Sequence, residues 1–236
     1  LSRALILRNQ GNVVGHSASA GFGRCFAEQG GQLVGEFDYQ QETQDFSPLL
    51  DRIHSLGMDC IFLAEYRAEA VMALTRSLRH RGITCPVASL VSLSPHWSFA
   101  PDTQSDGLLL ATYFSALQTE PGVRDFCSRF GAFAGGALPS HREAYSYDAL
   151  RLLARAIGEV GFERKALRDY LLSLGDQRPP YEGVSGRFVP SRTQEFRHPT
   201  LLEVREGQLQ VISQELTREG YRWRPNATSV RPATPS

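Results

Sequence analysis

The sequence lacks an excess of charge of either sign. Its 25 lysine and arginine residues balance 25 aspartate and glutamate residues. Proteins that bind nucleic acids through their phosphates usually carry a basic excess, so this balance argues against such a partner. No apolar run approaches the roughly 20 residues of a membrane-spanning helix, and no basic cluster flanks an amphipathic segment. We therefore expect neither a nucleic-acid partner nor direct membrane insertion.

Metal-binding patterns are also missing. The four cysteines and six histidines form no Cys-x-x-Cys pair and no Cys/His cluster, so the usual zinc motifs are excluded and we expect no metal and no other cofactor. Cys60 and Cys85 each open a predicted strand and could pair in an oxidising compartment; alternatively, both are small buried thiols. The sequence leaves these alternatives open.

A leader peptide is not visible. The chain begins at Leu1, and no basic and then apolar segment precedes the first strand. We expect Leu1 to be a processed end or the boundary of a fragment.

Motifs for catalysis are incomplete. Gly21-Phe22-Gly23 is followed by Phe26 where a dinucleotide fingerprint needs its third glycine. The segment 13–19 is similar to the nucleophile elbow of α/β-hydrolases, but Ser19 occupies the place where glycine usually follows the nucleophile, here Ser17. The alternative is that Ser17 or Ser19 caps a helix.

A hydrolase would also need an acid and a histidine further along the chain. Asp148 and His198 stand in that order, without a pattern around either. The residues therefore give no catalytic set.

What the sequence does contain is a regular alternation of apolar strands and amphipathic helices. This alternation is typical of βαβ units and a parallel sheet. The predicted strands cover 4–7, 33–37, 59–64, 86–91, 107–114, 181–189, 200–205 and 208–212, and the helices 17–30, 45–56, 68–80, 124–133, 142–160 and 165–174. After residue 221 the chain is rich in proline, serine and threonine, which predicts a disordered tail.

Six segments occur in a fixed order between residues 3 and 212. They are 3–37, 45–62 with its Asp-Phe-Ser start, 68–87, 106–114, 144–150 with its Tyr-Asp-Ala step, and 181–188 together with 203–207. In content and order they resemble the substrate-binding proteins of branched-chain amino-acid ABC importers, the leucine/isoleucine/valine-binding family.

The resemblance implies an α/β type I periplasmic-binding-protein fold, in which two lobes of parallel sheet flanked by helices close on a small ligand. It places residues 3–105 in the second lobe, 106–180 in the C-terminal part of the first lobe and 181–215 in strands that cross back to the second lobe. Residues 216–236 are the Pro-rich tail. Relatives carry a further first-lobe half before the position of Leu1. We therefore expect an incomplete first lobe here, and ligand binding by the chain as printed no tighter than about 1 mM.

The resemblance also implies ligand contacts. Tyr66 follows the third predicted strand and matches an aromatic residue that contacts ligand in the family, although it could also be a surface residue beside a helix. Glu65 and Ser89 lie at the ends of the third and fourth strands. Relatives often have tyrosine where Val14 stands and an acid just after the fourth strand, where Ser89-Leu90 carries no charge. Glu65 could then meet a ligand ammonium instead.

The function implied is a solute-binding module, not an enzyme. It would capture an amino acid or a related small polar molecule, in the periplasm or outside the cell, for an ABC permease. One alternative is a ligand-sensing domain fused to a signalling module through the Pro-rich tail. The alternative from another class is an α/β-hydrolase-like enzyme with Ser17 as its nucleophile.

A covalent probe separates the binder from the hydrolase. Because the elbow around Ser17 is incomplete, we expect no labelling by a fluorophosphonate probe and no change in hydrolytic background in Ser17→Ala. Labelling that disappears in this variant would establish the hydrolase instead.

Overall fold

The computed structural model describes residues 1–90, 103–190 and 200–212. The predicted tail at 216–236 lies outside the described residues, as do His198 and the parts of the crossover segment at 191–199 and 213–215. In the part that is described, no helix is long and apolar enough to span a membrane.

Nine strands and six α-helices make up the described chain. The strands are β1 (Arg3–Asn9), β2 (Gln32–Tyr39), β3 (Cys60–Ala64), β4 (Val87–Ser89), β5 (Leu108–Thr112), β6 (Tyr181–Gly183), β7 (Gly186–Phe188), β8 (Thr200–Arg205) and β9 (Gln208–Val211). The helices are α1 (Val13–Glu28), α2 (Ser47–Ile53), α3 (Ala68–His80), α4 (Pro121–Phe133), α5 (His141–Val160) and α6 (Arg164–Leu172).

The chain divides into two compact units. Unit 1 contains residues 1–90, 103–110 and 202–212 of the described chain, and unit 2 contains 111–190 and 200–201. The main sheet has the strand order β2-β1-β3-β4-β5-β8-β9, in which β2, β1, β3, β4 and β5 pair in parallel. Every residue of β3 is buried, as expected for the central strand of a sheet covered on both faces. The predicted α/β class with a parallel sheet is confirmed.

Helix α1 lies close to the sheet because its inner face is made of small residues. Gly15, Ser19 and Gly23 are buried at four-residue spacing, and the Phe22 ring stacks on Phe62 of β3 with centroids 4.4 Å apart. The predicted start of this helix at residue 17 is wrong, since α1 already begins at Val13.

Neither serine of α1 caps the helix. The Ser19 hydroxyl is buried and donates to the Gly15 carbonyl at 2.7 Å, while Ser17 is exposed within the helix. A residue inside a helix cannot form the strand-to-helix turn of a nucleophile elbow, so that hypothesis for Ser17 is wrong.

Helix α3 matches its prediction at both ends, and its inward residues Val71, Leu74 and Leu78 are fully buried. Helix α2 begins at Ser47, two residues later than predicted, and the Asp45 carboxylate before it accepts a hydrogen bond from the Ser47 N–H at 2.9 Å.

Helix α5 buries a narrow face. Ala144, Asp148, Leu152 and Ala156 are buried at four-residue spacing, whereas the neighbouring Leu153 is 42% exposed. In unit 2 this face packs into two hydrophobic clusters, one with α6 and β6 and the other with α4.

The predicted strand at 181–189 is instead the hairpin β6–β7. Asp148 of α5 fixes its turn, because its carboxylate accepts from the N–H groups of Val184 and Ser185 at 2.9 and 2.8 Å and from the Ser185 hydroxyl. Asp148 is therefore a structural residue and not the acid of a catalytic set.

The predicted strands at 200–205 and 208–212 are present as β8 and β9. Glu206 and Gly207 form their turn with φ of 53° and 69°, the left-handed conformation that tight hairpin turns require. Both N–H groups donate to the Asp106 carboxylate, at 3.1 and 3.0 Å.

All four cysteines are free thiols. Cys60 is buried, and burial raises the pKa of its thiol to about 12. Cys25, in contrast, is exposed.

The close approach of α1 to β3 can be tested at two glycines of the same helix. A Cβ on Gly15 would lie 2.7 Å from the Ala64 carbonyl oxygen, whereas one on Gly21 would meet nothing within 4 Å. We expect Gly15→Ala to lower the free energy of unfolding by about 1 to 3 kcal/mol, and Gly21→Ala to raise it by about 1 kcal/mol through helix propensity. Urea denaturation measures both. Equal effects of the two substitutions would contradict the contact.

Candidate functional site

The candidate site lies where β1, β3 and β4 end in unit 1. Arg8 of β1 pairs with Ala64 of β3, and Leu63 of β3 pairs with Ser89 of β4, so the three carboxyl ends are adjacent. Helices follow β1 and β3 in opposite directions across the sheet, because β2 lies beside β1 and β4 beside β3. Open α/β sheets bind ligands at this switch between neighbouring strands.

Glu65, directly after β3, has a fully buried side chain. One carboxylate oxygen accepts from the Tyr66 N–H at 2.9 Å and the Arg67 N–H at 3.0 Å. The other accepts from Asn9 Nδ2, the Tyr39 hydroxyl and Arg67 Nη2, each at 2.9 Å. We call this group, Glu65 with Asn9, Tyr39 and Arg67, the Glu65 cluster.

The protonation of the cluster follows from these contacts. Burial alone would raise the pKa of the Glu65 carboxyl, but hydrogen bonds from Arg67, Asn9 and Tyr39 outweigh it and hold that pKa below its ordinary value. Burial and the neighbouring carboxylate raise the pKa of the Tyr39 hydroxyl. The hydrogen bond to Glu65 raises the pKa of Arg67. Glu65 is therefore an anion paired with Arg67 at neutral pH.

Ser89 is engaged inside unit 1 as well. It is 2% exposed, and its hydroxyl lies 3.0 Å from the Leu63 carbonyl and 3.2 Å from the Glu65 carbonyl. Tyr66 differs from the buried Glu65 and Ser89, because 55% of it is exposed. The structure thus brings the three predicted site residues to one edge of the sheet, and their contact with ligand stays a prediction.

The first turn of α1 lies at the same edge. Gly15 packs against the Ala64 carbonyl, and Val13 and Val14 beside it are 80% and 65% exposed. Asn12 precedes the helix and is buried, and its Nδ2 has no hydrogen-bond partner among the described residues. The N-terminus of a helix carries a partial positive charge, so this side of the edge is electropositive.

Asn9, Tyr39 and Arg67 were missed by sequence reasoning. Asn9 and Tyr39 end β1 and β2, and polar residues at the carboxyl ends of apolar strands were the available signal. Arg67 stands two residues after Glu65, too close for a pattern of its own.

Unit 2 contains a cavity of about 460 Å³ beside the β6–β7 hairpin. Its wall includes Tyr147, whose hydroxyl accepts from Arg129 at 3.0 Å and Arg151 at 2.9 Å. Burial would raise the pKa of Tyr147, but the two guanidinium groups lower it overall. Arg129 also pairs with Asp125 at 2.7 Å, so much of the charge in this cavity is paired internally. In the described parts of both units, no group of three potential metal ligands occurs.

A sequence model of a family described as "Periplasmic binding protein" matches residues 2–202. No curated protein matches the chain significantly.

Solved structures give a consistent picture. The leucine-binding protein LivK of Thermotoga maritima has a TM-score of 0.76 at 20% identity, over 90% of this chain and 60% of its own. A Rhodospirillum rubrum protein, provisionally assigned as a branched-chain amino acid ABC transporter, has a TM-score of 0.75 at 29% identity over 89% and 60%. An ABC transporter solute-binding protein from R. palustris, in complex with benzoate, has a TM-score of 0.73 at 18% identity over 90% and 58%. The chain spans about three-fifths of the length of these proteins.

Acid should weaken the Glu65 cluster. Because the folded pKa of Glu65 lies below its ordinary value of 4.5, its contribution to stability is present above pH 4.5 and is lost as the pH falls through the folded pKa. We expect Glu65→Gln to lower the free energy of unfolding at pH 7 by about 2 to 3 kcal/mol, which is less than the loss of a fully buried pair would cost because Arg67 is partly exposed. The variant should also flatten the pH dependence of this free energy below pH 4.5.

The control is Glu36→Gln. Glu36 forms an exposed pair with Arg8 at 3.3 Å, and its loss should cost less than about 1 kcal/mol. Denaturant titrations between pH 3 and 7 measure both variants. An unchanged pH profile in Glu65→Gln would show that Glu65 is not the anion described.

Proposed function

The chain belongs to the periplasmic binding protein family, and we propose that it acts as a solute-binding module that captures a small ligand for an ABC importer. The family and the type I fold expected from the sequence are confirmed. We keep the lobe assignments of residues 3–105, 106–180 and 181–215 as part of this proposal.

The observation that carries the proposal is the edge formed by β1, β3 and β4. The Glu65 cluster makes this edge rigid, since one buried carboxylate joins β1, β2 and the start of α3. On this frame Tyr66 is largely exposed, and an aromatic ring held on a rigid support is a common wall of a ligand pocket.

The ligand we propose is a small carboxylic acid, either an amino acid or a related molecule. Among the relatives, one is a leucine-binding protein and another is in complex with benzoate; leucine and benzoate share a carboxylate and an apolar body. We propose an ABC permease as the partner, and the periplasm or cell exterior as the location.

Titration calorimetry tests the function. The protein should be made from its complete reading frame and titrated with L-leucine, L-valine and benzoate, with maltose as an uncharged control. We expect a Kd below about 100 μM, roughly 5.5 kcal/mol of binding free energy, for at least one carboxylate and none for maltose. A lack of binding to all three carboxylates would refute the proposal.

Tyr66 should contribute to affinity more than to stability. In Tyr66→Ala, loss of the ring should weaken binding of the best of these carboxylates by about 5- to 150-fold, or roughly 1 to 3 kcal/mol. The melting temperature should change by only a few degrees, because an exposed ring leaves no closed cavity.

Phe22→Ala is the control. Its ring stacks on Phe62, so its loss should cost about 2 to 3 kcal/mol of stability and leave the Kd nearly unchanged. Unchanged affinity in Tyr66→Ala, or unfolding of that variant, would assign Tyr66 to packing.

A further inference from the structure

The polar groups at the edge of β1, β3 and β4 leave no buried acid for a ligand among the described residues. Both oxygens of the Glu65 carboxylate accept hydrogen bonds from the chain itself. The ionised carboxylate is an acceptor only, and the six hydrogen bonds that it accepts from the chain already exceed its roughly four lone-pair sites. A ligand ammonium would have to displace Arg67 or Asn9 to reach it.

The charges that remain at this edge are unfavourable for a cation. The Arg67 side chain is 30% exposed beside Tyr66, and the N-terminus of α1 adds partial positive charge. Glu69, in the first turn of α3, is an exposed carboxylate and is therefore screened by water.

The exposed surface at this edge is apolar. Val13, Val14 and Tyr66 are more than half exposed, and Leu90, directly after β4, is 43% exposed. We call these four residues the apolar wall. Leu90 follows Ser89 in the chain, and the Ser89 hydroxyl lies 3.2 Å from the carbonyl of Glu65, the residue before Tyr66.

We propose that the ligand presents an apolar body and no ammonium group to the apolar wall, so that the preferred class is a small monocarboxylate without an α-amino group. Glu65 is then a positioning residue that holds Tyr66 and Arg67 and does not touch the ligand. This inference rests on the proposed function and narrows its ligand class.

Matched ligand pairs test the inference. The protein made from its complete reading frame is titrated with L-leucine and 4-methylpentanoate, L-valine and 3-methylbutanoate, and L-phenylalanine and 3-phenylpropanoate, which differ only in the ammonium. In every pair that binds, we expect the acid without nitrogen to have a Kd at least tenfold lower. An amino acid that binds equally well or better overturns this inference and leaves the proposed function intact. Binding of no member overturns the proposed function, and this inference with it.

Four variants locate the cause of the preference. Leu90→Glu adds an acid to the apolar wall and should reduce the preference at least fivefold, whereas Leu90→Gln should reduce it less than twofold. Glu65→Gln should change both Kd values of a pair by the same factor, because a positioning residue affects both ligands. A loss of amino-acid binding alone in Glu65→Gln, or in Glu69→Gln, would identify that carboxylate as the partner of a ligand ammonium and overturn the inference.

Discussion

Unit 1 depends on one buried anion. An unpaired carboxylate in the interior would cost several kcal/mol, and it is tolerated only when charge and hydrogen bonds compensate it. Glu65 meets both conditions, with Arg67 as its counter-charge and with donors on β1 and β2 from Asn9 and Tyr39. Because these donors come from separate segments, the carboxylate fixes the positions of the strand ends relative to one another. Tyr66, bonded to it through its N–H, inherits its position from that arrangement.

The sequence predicted elements well where apolar residues define them, and less well where small residues do. Helix α3 was predicted at both ends because Val71, Leu74 and Leu78 repeat at helical spacing and Gly82 follows. The start of helix α1 was predicted too late because its buried face is made of Gly15 and other small residues, which apolar periodicity does not detect. Small side chains there allow the backbones to approach, which is a property of the packed pair and not of the helix alone.

The site prediction succeeded for the positions of its residues in the chain and failed for the contacts of their side chains. The position of Glu65 and Tyr66 at the end of a buried strand could be predicted, because strand ends are visible as breaks in apolar runs. The direction of the Glu65 side chain could not, since Asn9 and Tyr39 are 56 and 26 residues away from it in the chain. The β6–β7 hairpin failed for a similar reason: its turn is fixed by Asp148, 36 residues earlier.

Unit 2 is an insertion in the sequence of unit 1, because the chain leaves unit 1 within β5 and returns to it within β8. The two strands are neighbours in the main sheet. Their ends away from the insertion are joined by the Gly107 N–H, which donates to the Val204 carbonyl at 2.9 Å, and by the hydrogen bonds of the β8–β9 turn to Asp106. Neighbouring strands lie about 4.8 Å apart, so the spacing between β5 and β8 is set by the sheet and does not depend on the length of the insertion. An insertion whose two ends lie on neighbouring strands can be lengthened, recombined or exchanged during evolution while unit 1 keeps its strand order.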